Sequence, residues 1–267
     1  MTQLTWMVAD GFAVAQRNLI KIKRVPEVLV WVLISPIMFV LLFTYVFGGS
    51  IEIPGVPYEE FLIAGIFAQT VVFGATYTGA GLAEDMQKGI IDRFKSLPMT
   101  RAAVLIGRTG SDIVYNVLSI SIMAVTGLVV GWRIHTSLWE AAAGFAILLL
   151  FSYAFSWVMA TVGLMVPSPE VVNNASFMVI MPLTFISNAF VPAQNLPTPL
   201  RIFAEWNPVS AVTQAARNLF GNTSPMFPPG DAWSMQHPEL YTLIWVVVLV
   251  AIFAPISVRL YKRTTSK

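Results

Sequence analysis

Cysteine is absent from the 267 residues, which excludes disulfides, thiolate metal sites and a cysteine nucleophile. Histidine is nearly absent. His135 and His237 are the only two, with no second ligand at metal spacing, so both are read as ordinary loop or interface residues and no metal is expected. Charge is scarce as well: 11% of residues are Asp, Glu, Lys or Arg, against roughly 25% in soluble domains. So few charges cannot cover the surface of a water-soluble globule this large, and the bilayer becomes the expected solvent. A phosphate-binding G-x-x-x-x-G-K-[ST] loop is missing, because Gly107-Arg108-Thr109-Gly110 is too short and lacks the lysine. No paired carboxylates and no Ser/His/Asp set mark an enzyme, so no catalytic residue and no cofactor are expected in this chain. Nucleic acid is not an expected partner of a chain with 16 basic and 14 acidic residues.

What the sequence has in abundance is apolar length: 56% of residues are hydrophobic. Six apolar stretches read as membrane-spanning helices, at about 20 residues each: 28–47, 61–82, 113–130, 141–166, 171–190 and 240–258. Pro36 is expected to kink the first. Residues 1–27 mix Trp6, Phe12, Leu19 and Ile22 with Arg17, Lys21, Lys23 and Arg24, and read either as an amphipathic interfacial helix or as a plain basic tail. The expected organisation is one unit over 1–267: an interfacial segment (1–27), a six-span core (28–258) and a tail (259–267). That length leaves no room for a nucleotide-binding domain of ordinary size.

Orientation follows the basic residues. Four lie in the N-terminal segment, five between spans two and three (Lys88, Arg93, Lys95, Arg101, Arg108) and four in the tail. The opposite side holds Arg133, Arg201 and Arg217. Both termini are therefore expected in the cytoplasm, as an even number of spans requires. Glu52, Glu59 and Glu60 fall outside, where they are read as solvated.

Within the spans, every charged residue is expected to lie off centre, with Asp112 and Glu170 at ends. Ion-coupled transporters ordinarily need an intramembrane ionisable group, so a self-powered secondary transporter is disfavoured. Uncharged polar residues remain, among them Gln69, Thr78, Asn116, Ser152, Thr161, Asn173, Asn174 and Asn188; they are read first as interhelical hydrogen-bonding groups and second as substrate contacts. Gly127 and Gly131 form a G-x-x-x-G that would permit close helix packing. Asn222-Thr223-Ser224 matches a glycosylation sequon.

Two constellations carry mechanical content. In the connection 84–101, Ile90, Ile91, Phe94 and Leu97 share one helical face while Asp92, Arg93 and Lys95 lie off it, and Pro98 ends the helix. Such a helix either docks in a partner's groove or lies on lipid headgroups. Between 191 and 239, 201–206 and 210–220 read as two short helices broken by Asn207-Pro208, with Gly221 as a C-cap. This apolar pair is either re-entrant, roofing a pathway, or a loop lying on the bilayer.

The segments Lys88-Gly89-Ile90-Ile91-Asp92-Arg93-Phe94-Lys95-Ser96-Leu97-Pro98-Met99, Ser187-Asn188-Ala189-Phe190-Val191-Pro192 and Phe203-Ala204-Glu205-Trp206-Asn207-Pro208-Val209-Ser210 resemble the membrane subunits of ABC-2 type exporters, and within them the daunorubicin-resistance-type permeases of actinobacteria. The resemblance runs nearly the whole chain in order. It implies an all-α integral membrane fold of six transmembrane helices in a bacterial plasma membrane, with an N-terminal elbow helix, a cytoplasmic coupling helix and an external re-entrant pair between spans five and six. It implies a permease that pairs with a second copy or a close relative and docks on a separate cytoplasmic ATPase, where ATP and magnesium bind. Glu84, Asp85, Lys88, Asp92, Arg93 and Phe94 would then serve ATPase coupling, and Trp206, Asn207 and Pro208 an external gate. The implied cargo is an amphipathic drug such as an anthracycline, or a cell-envelope lipid; polysaccharide export is the alternative within the superfamily. Phe73, Tyr77, Asn173, Phe177 and Phe185, aromatic or polar but uncharged, suit a lipophilic pathway among membrane lipids.

Overall fold

The computed structural model describes residues 16, 34, 37–47, 53–91, 101–224, 226 and 228–264. The elbow segment 1–27, apart from Gln16, therefore lies outside the described residues, as do most of the first expected span and the coupling stretch 92–100. The described elements are all helices: α1 (Ile37–Val46), α2 (Tyr58–Gly74), α3 (Thr76–Gln87), α4 (Arg101–Val130), α5 (Leu138–Met165), α6 (Pro169–Phe185), α7 (Thr198–Trp206), α8 (Pro208–Phe220), α9 (Trp233–Gln236) and α10 (Pro238–Thr264).

Local chemistry sets several of these ends. Ser137 opens α5 with a reciprocal capping box to Glu140, which satisfies two otherwise orphaned backbone donors. Ser168 caps α6 ahead of Pro169, and Asn207 caps α8 ahead of Pro208, the proline sitting where its missing N–H costs nothing. Gly221 closes α8 in the left-handed region at φ 74°, as expected of it.

Among the described residues, four helices are long and apolar enough to cross a membrane: Tyr58–Gln87 (α2 and α3 together), Val104–Val130, Leu138–Met165 and Pro238–Arg263. α5 lies at the centre of the bundle, with α2, α3, α4, α8 and α10 packed around it. Its contact with α3 is made at glycines: a Cβ on Gly163 would stand 2.2 Å from the Gly79 carbonyl oxygen, so the two backbones touch. Hydroxyls tie the helices further. Thr161 shares a 2.8 Å hydrogen bond with Ser257 of α10, and Ser152 donates to Val71 O of α2 at 3.4 Å.

Three expectations are corrected here. The fifth stretch is helical from Pro169 only to Phe185, and its 17 residues cover about 25 Å, at the short end of what crosses a bilayer. Its end is held by side chains: Ser187 Oγ donates to Thr184 O at 2.5 Å and accepts from Ala189 N at 3.1 Å. The third stretch begins far earlier than Ile113, since α4 starts at Arg101, placing Arg108 and Asp112 within the helix. Gly131, with φ 121°, ends α4 rather than serving as half of a packing motif, and the Trp132 N–H folds back to Gly127 O at 2.9 Å.

Candidate functional site

Two ends of the bundle hold the candidate residues. At one, α3 runs out to a turn in which Lys88 Nζ meets Glu84 Oε1 at 2.5 Å. That hydrogen bond, and the carboxylate's charge, hold the exposed Lys88 ammonium above the usual lysine range. Asp85 is buried nearby. Asp92, Arg93 and Phe94, the rest of the expected coupling set, lie outside the described residues. Just inward, α3 and α4 are clamped: Thr78 Oγ1 donates to Asp112 Oδ2 and Arg108 Nη2 donates to Tyr77 O at 2.7 Å; within α4, Asn116 Nδ2 donates to Asp112 O at 2.8 Å. Asp112 is thus buried within a candidate span, about 12 Å along the helix from Val104. The expectation that no charge sits inside the spans is overturned, because Thr78, 34 residues earlier in the chain, supplies the donor that makes burial tolerable.

The expected pathway residues divide into two groups. Phe73 and Phe177 meet with ring centroids 6.2 Å apart, and Tyr77, one turn beyond Phe73, packs edge-on against Tyr115 at 5.1 Å. Asn173 is exposed one turn before Phe177. Phe185 instead packs at a tilt against Phe190 at 5.0 Å, which stacks on Phe43 of α1 at 4.8 Å. Phe177 and Phe185 of α6 and Tyr77 of α3 are exposed, so these two helices present uncharged aromatic surface.

At the opposite end lie the expected gate residues. Trp206 is half exposed and packs edge-on against Tyr241 of α10 at 5.9 Å, whose hydroxyl donates to Trp206 O at 2.9 Å. Asn207 is buried and joins the end of α6 to the start of α8. Its Oδ1 accepts from Val209 N at 2.8 Å, and its Nδ2 donates to Leu183 O at 2.7 Å and Ile186 O at 2.9 Å. It thereby caps α8 and collects carbonyls left free where α6 ends. Pro208 fixes the first turn of α8. That helix is not a surface element: Val209, Ala211, Val212, Ala215, Ala216 and Phe220 are wholly buried. Phe220 sits in an aromatic cluster with Phe67, Trp132 and Phe145.

Sequence reasoning missed the polar residues beside this helix. Arg217, counted as an outer loop charge, is 1% exposed. Its Nε donates to Phe61 O at 2.9 Å, its Nη2 to Asn188 O at 2.7 Å and Ala189 O at 3.0 Å, and its guanidinium lies 3.4 Å from the Phe61 ring centre. Glu60, read as solvated, is buried and faces His135 Nε2 at 2.9 Å and Asn222 Nδ2 at 3.2 Å. Asn222 also accepts from Trp132 Nε1 at 2.8 Å, and at 1% exposure it is sealed from a glycosyltransferase. The one available signal was Arg217 among Ala211, Ala215 and Ala216, small residues that let a helix lie close to its neighbours.

Among the described residues no cluster of three or more His, Asp or Glu could hold a metal. The sequence profile of the ABC-2 type transporter family matches residues 10–220. A daunorubicin resistance ABC transporter permease protein, DrrB1 of Streptomyces coeruleorubidus, is 31% identical over 246 residues, covering 92% of this chain and 83% of the relative. The Mycobacterium tuberculosis protein named "Probable doxorubicin resistance ABC transporter permease protein DrrC" is 23% identical over 198 residues, 74% of this chain and 71% of its own.

Proposed function

Because this chain belongs to the ABC-2 type transporter family, and is therefore the permease subunit of an ABC exporter with its ATPase on a separate chain, we propose that it moves an amphipathic drug, such as an anthracycline, or a cell-envelope lipid outward across a bacterial plasma membrane. As a multi-pass membrane subunit of this kind it carries no catalytic site and no cofactor; ATP and its magnesium belong to the partner. The observation that carries the cargo reading is the likeness to a daunorubicin resistance permease over 92% of the chain. The uncharged aromatic flank of Phe73, Tyr77, Asn173, Phe177 and Phe185 agrees with it, since a charged solute would find its desolvation uncompensated there.

In this reading residues 1–267 form a single unit of six spans with both termini in the cytoplasm, and residues 1–27 lie as an elbow on the inner surface. The permease works as a pair, with itself or a close relative, within membrane lipid. The segment from Glu84 through Asp85, Lys88, Asp92, Arg93 and Phe94 takes the ATPase's motion. The Thr78–Asp112 and Arg108–Tyr77 links pass that motion to α3 and α4 together. At the outer end α7 and α8 form a re-entrant pair whose joint, Trp206-Asn207-Pro208, changes angle as the pathway opens.

Family membership also replaces the argument from missing charge. Asp112 lies inside a span, so a secondary transporter is set aside on the family match and not on an uncharged interior. The test is purification of the tagged permease in mild detergent, followed by transport with its ATPase in vesicles. A stoichiometric ATPase should accompany the wild type, and Phe94→Asp should lose it while still inserting in the membrane. Normal assembly and transport by that variant would overturn the coupling assignment. Failure of the reconstituted complex to move either an anthracycline or a lipid would overturn the cargo reading.

A further inference from the structure

Arg217 is held on three carbonyls through Nε and Nη2, yet its Nη1 has no hydrogen-bond partner, and neither has Oδ1 of Asn188. Both side chains are more than nine-tenths buried, at 1% and 5% exposure. Both line a single pocket, with Gln214 beside them and Val56, Pro192 and Met235 as apolar walls. Among the described residues no carboxylate lines this pocket. Of the described acids at this end of the bundle, Glu60 faces His135 and Asn222, and Glu205 lies 3.9 Å from Arg201. Among the described residues no ion pair neutralises Arg217.

A guanidinium keeps its charge in proteins, and a buried charged donor without a partner is among the costliest features a fold can carry. Its three carbonyl contacts fix the plane of the group and leave the Nη1 edge free. An acceptor there gains a charge-assisted hydrogen bond. The orphaned Asn188 Oδ1 asks for the opposite partner, a donor. Apolar walls around this pair favour a molecule that is greasy beyond its polar tip.

We propose that this pocket binds a phosphate oxyanion flanked by a hydroxyl, with Arg217 Nη1 donating to the anionic oxygen and Asn188 Oδ1 accepting from the hydroxyl. A glycerol-phosphate lipid headgroup and a free glycerol phosphate both offer that chemistry. The site stands apart from the choice of cargo, and its test needs no ATP hydrolysis, so its failure is distinguishable from failure of the export reading.

The test is native mass spectrometry of the permease–ATPase complex in detergent, titrated with phosphatidylglycerol, with phosphatidylcholine, and with glycerol 3-phosphate alone. Phosphatidylglycerol should bind at least tenfold more tightly than phosphatidylcholine, which lacks the hydroxyl and carries a cationic headgroup. Asn188→Asp places a carboxylate beside Arg217, so it should weaken phosphatidylglycerol binding by about tenfold or more; because it also gives up the 3.2 Å amide hydrogen bond to Gln214 Oε1, unchanged phosphatidylcholine binding by the same variant is the control for a merely structural loss. Arg217→Lys should lose binding too, but it also gives up carbonyl contacts, so Asn188→Asp decides the matter if the lysine variant fails to fold. Saturation by glycerol 3-phosphate without lipid would support the site and assign it to a soluble ligand. Equal binding of the two lipids, or phosphatidylglycerol binding undiminished in Asn188→Asp, would overturn the proposal and leave buried water as the partner of Nη1.

Discussion

Asn207 shows how one side chain can join two helices. Its oxygen caps α8 and its amide nitrogen holds the carbonyls of Leu183 and Ile186. An N-cap contributes about 1 kcal/mol, and each buried carbonyl left without a donor costs on the order of 1–3 kcal/mol. Asn207→Ala is therefore expected to destabilise the protein by about 2–4 kcal/mol. Asn207→Ser, which keeps a capping oxygen and loses the amide donors without setting a carboxylate against the two carbonyls, should fall between it and wild type. Thermal unfolding in detergent checks the order, and an alanine variant as stable as wild type would mean the α6–α8 joint is held by other contacts. Asn207 is legible in the sequence as part of an Asn-Pro break between two helices. The roles of Arg217 and Glu60 are not. A charge is placed outside a membrane protein by residue type alone, whereas their burial depends on partners at Phe61, Asn188, Ala189, His135 and Asn222. Those partners are brought together only by the fold.

Among the elements, the α3–α5 crossing separates packing from propensity. Gly79 and Gly163 bring two backbones into contact: a Cβ on Gly79 would lie 2.6 Å from Met159 O, and one on Gly163 2.2 Å from Gly79 O. Gly163→Val must push the helices apart, at about 1–3 kcal/mol. Gly110, inside α4, has nothing within 4 Å of where its Cβ would stand, so Gly110→Ala should raise stability by roughly 0.5–1 kcal/mol through helix propensity alone. Opposite shifts of the two melting temperatures are expected; a drop with Gly110→Ala would place a partner surface against that face of α4. The helix ends repeat the lesson on legibility. The reading 141–166 falls close to Leu138–Met165, and the helix pair with Gly221 as its cap is present much as read, because caps and prolines are local signals. The start of α4 was hidden because Arg101, Arg108 and Asp112 look like loop residues until Tyr77 and Thr78 are seen to receive two of them. The end of α6 was hidden because Ile186 and Phe190 continue an apolar run in which Ser187 and Asn188 end the helix.

For the molecule as a whole, the structure sharpens the charge argument for orientation. Arg108 and Arg217 are spent on carbonyls of neighbouring helices, so neither faces water as a free topogenic charge. Removing one from each side leaves two basic residues, Arg133 and Arg201, facing twelve. Arg133 donates to Leu128 O at 2.7 Å and Trp132 O at 2.8 Å, and Arg201 lies 3.9 Å from Glu205, so even these are partly engaged. The retained bias strongly favours the Lys88 end as cytoplasmic. The absence of cysteine makes this directly measurable, because any introduced thiol is the only one present. Gln16, Gln87 and His237 are exposed, and each can be replaced by cysteine in turn. A membrane-impermeant maleimide applied to intact cells should label His237→Cys alone, with Gln16→Cys and Gln87→Cys reached only after the membrane is opened. Labelling of Gln87→Cys in place of His237→Cys would invert the protein and put the α7–α8 pair inside. Labelling of Gln16→Cys together with His237→Cys would mean that the chain does not cross between 16 and 58. Five spans would then remain, with the termini on opposite sides, and a segment on the wrong face of the membrane to serve as a cytoplasmic elbow.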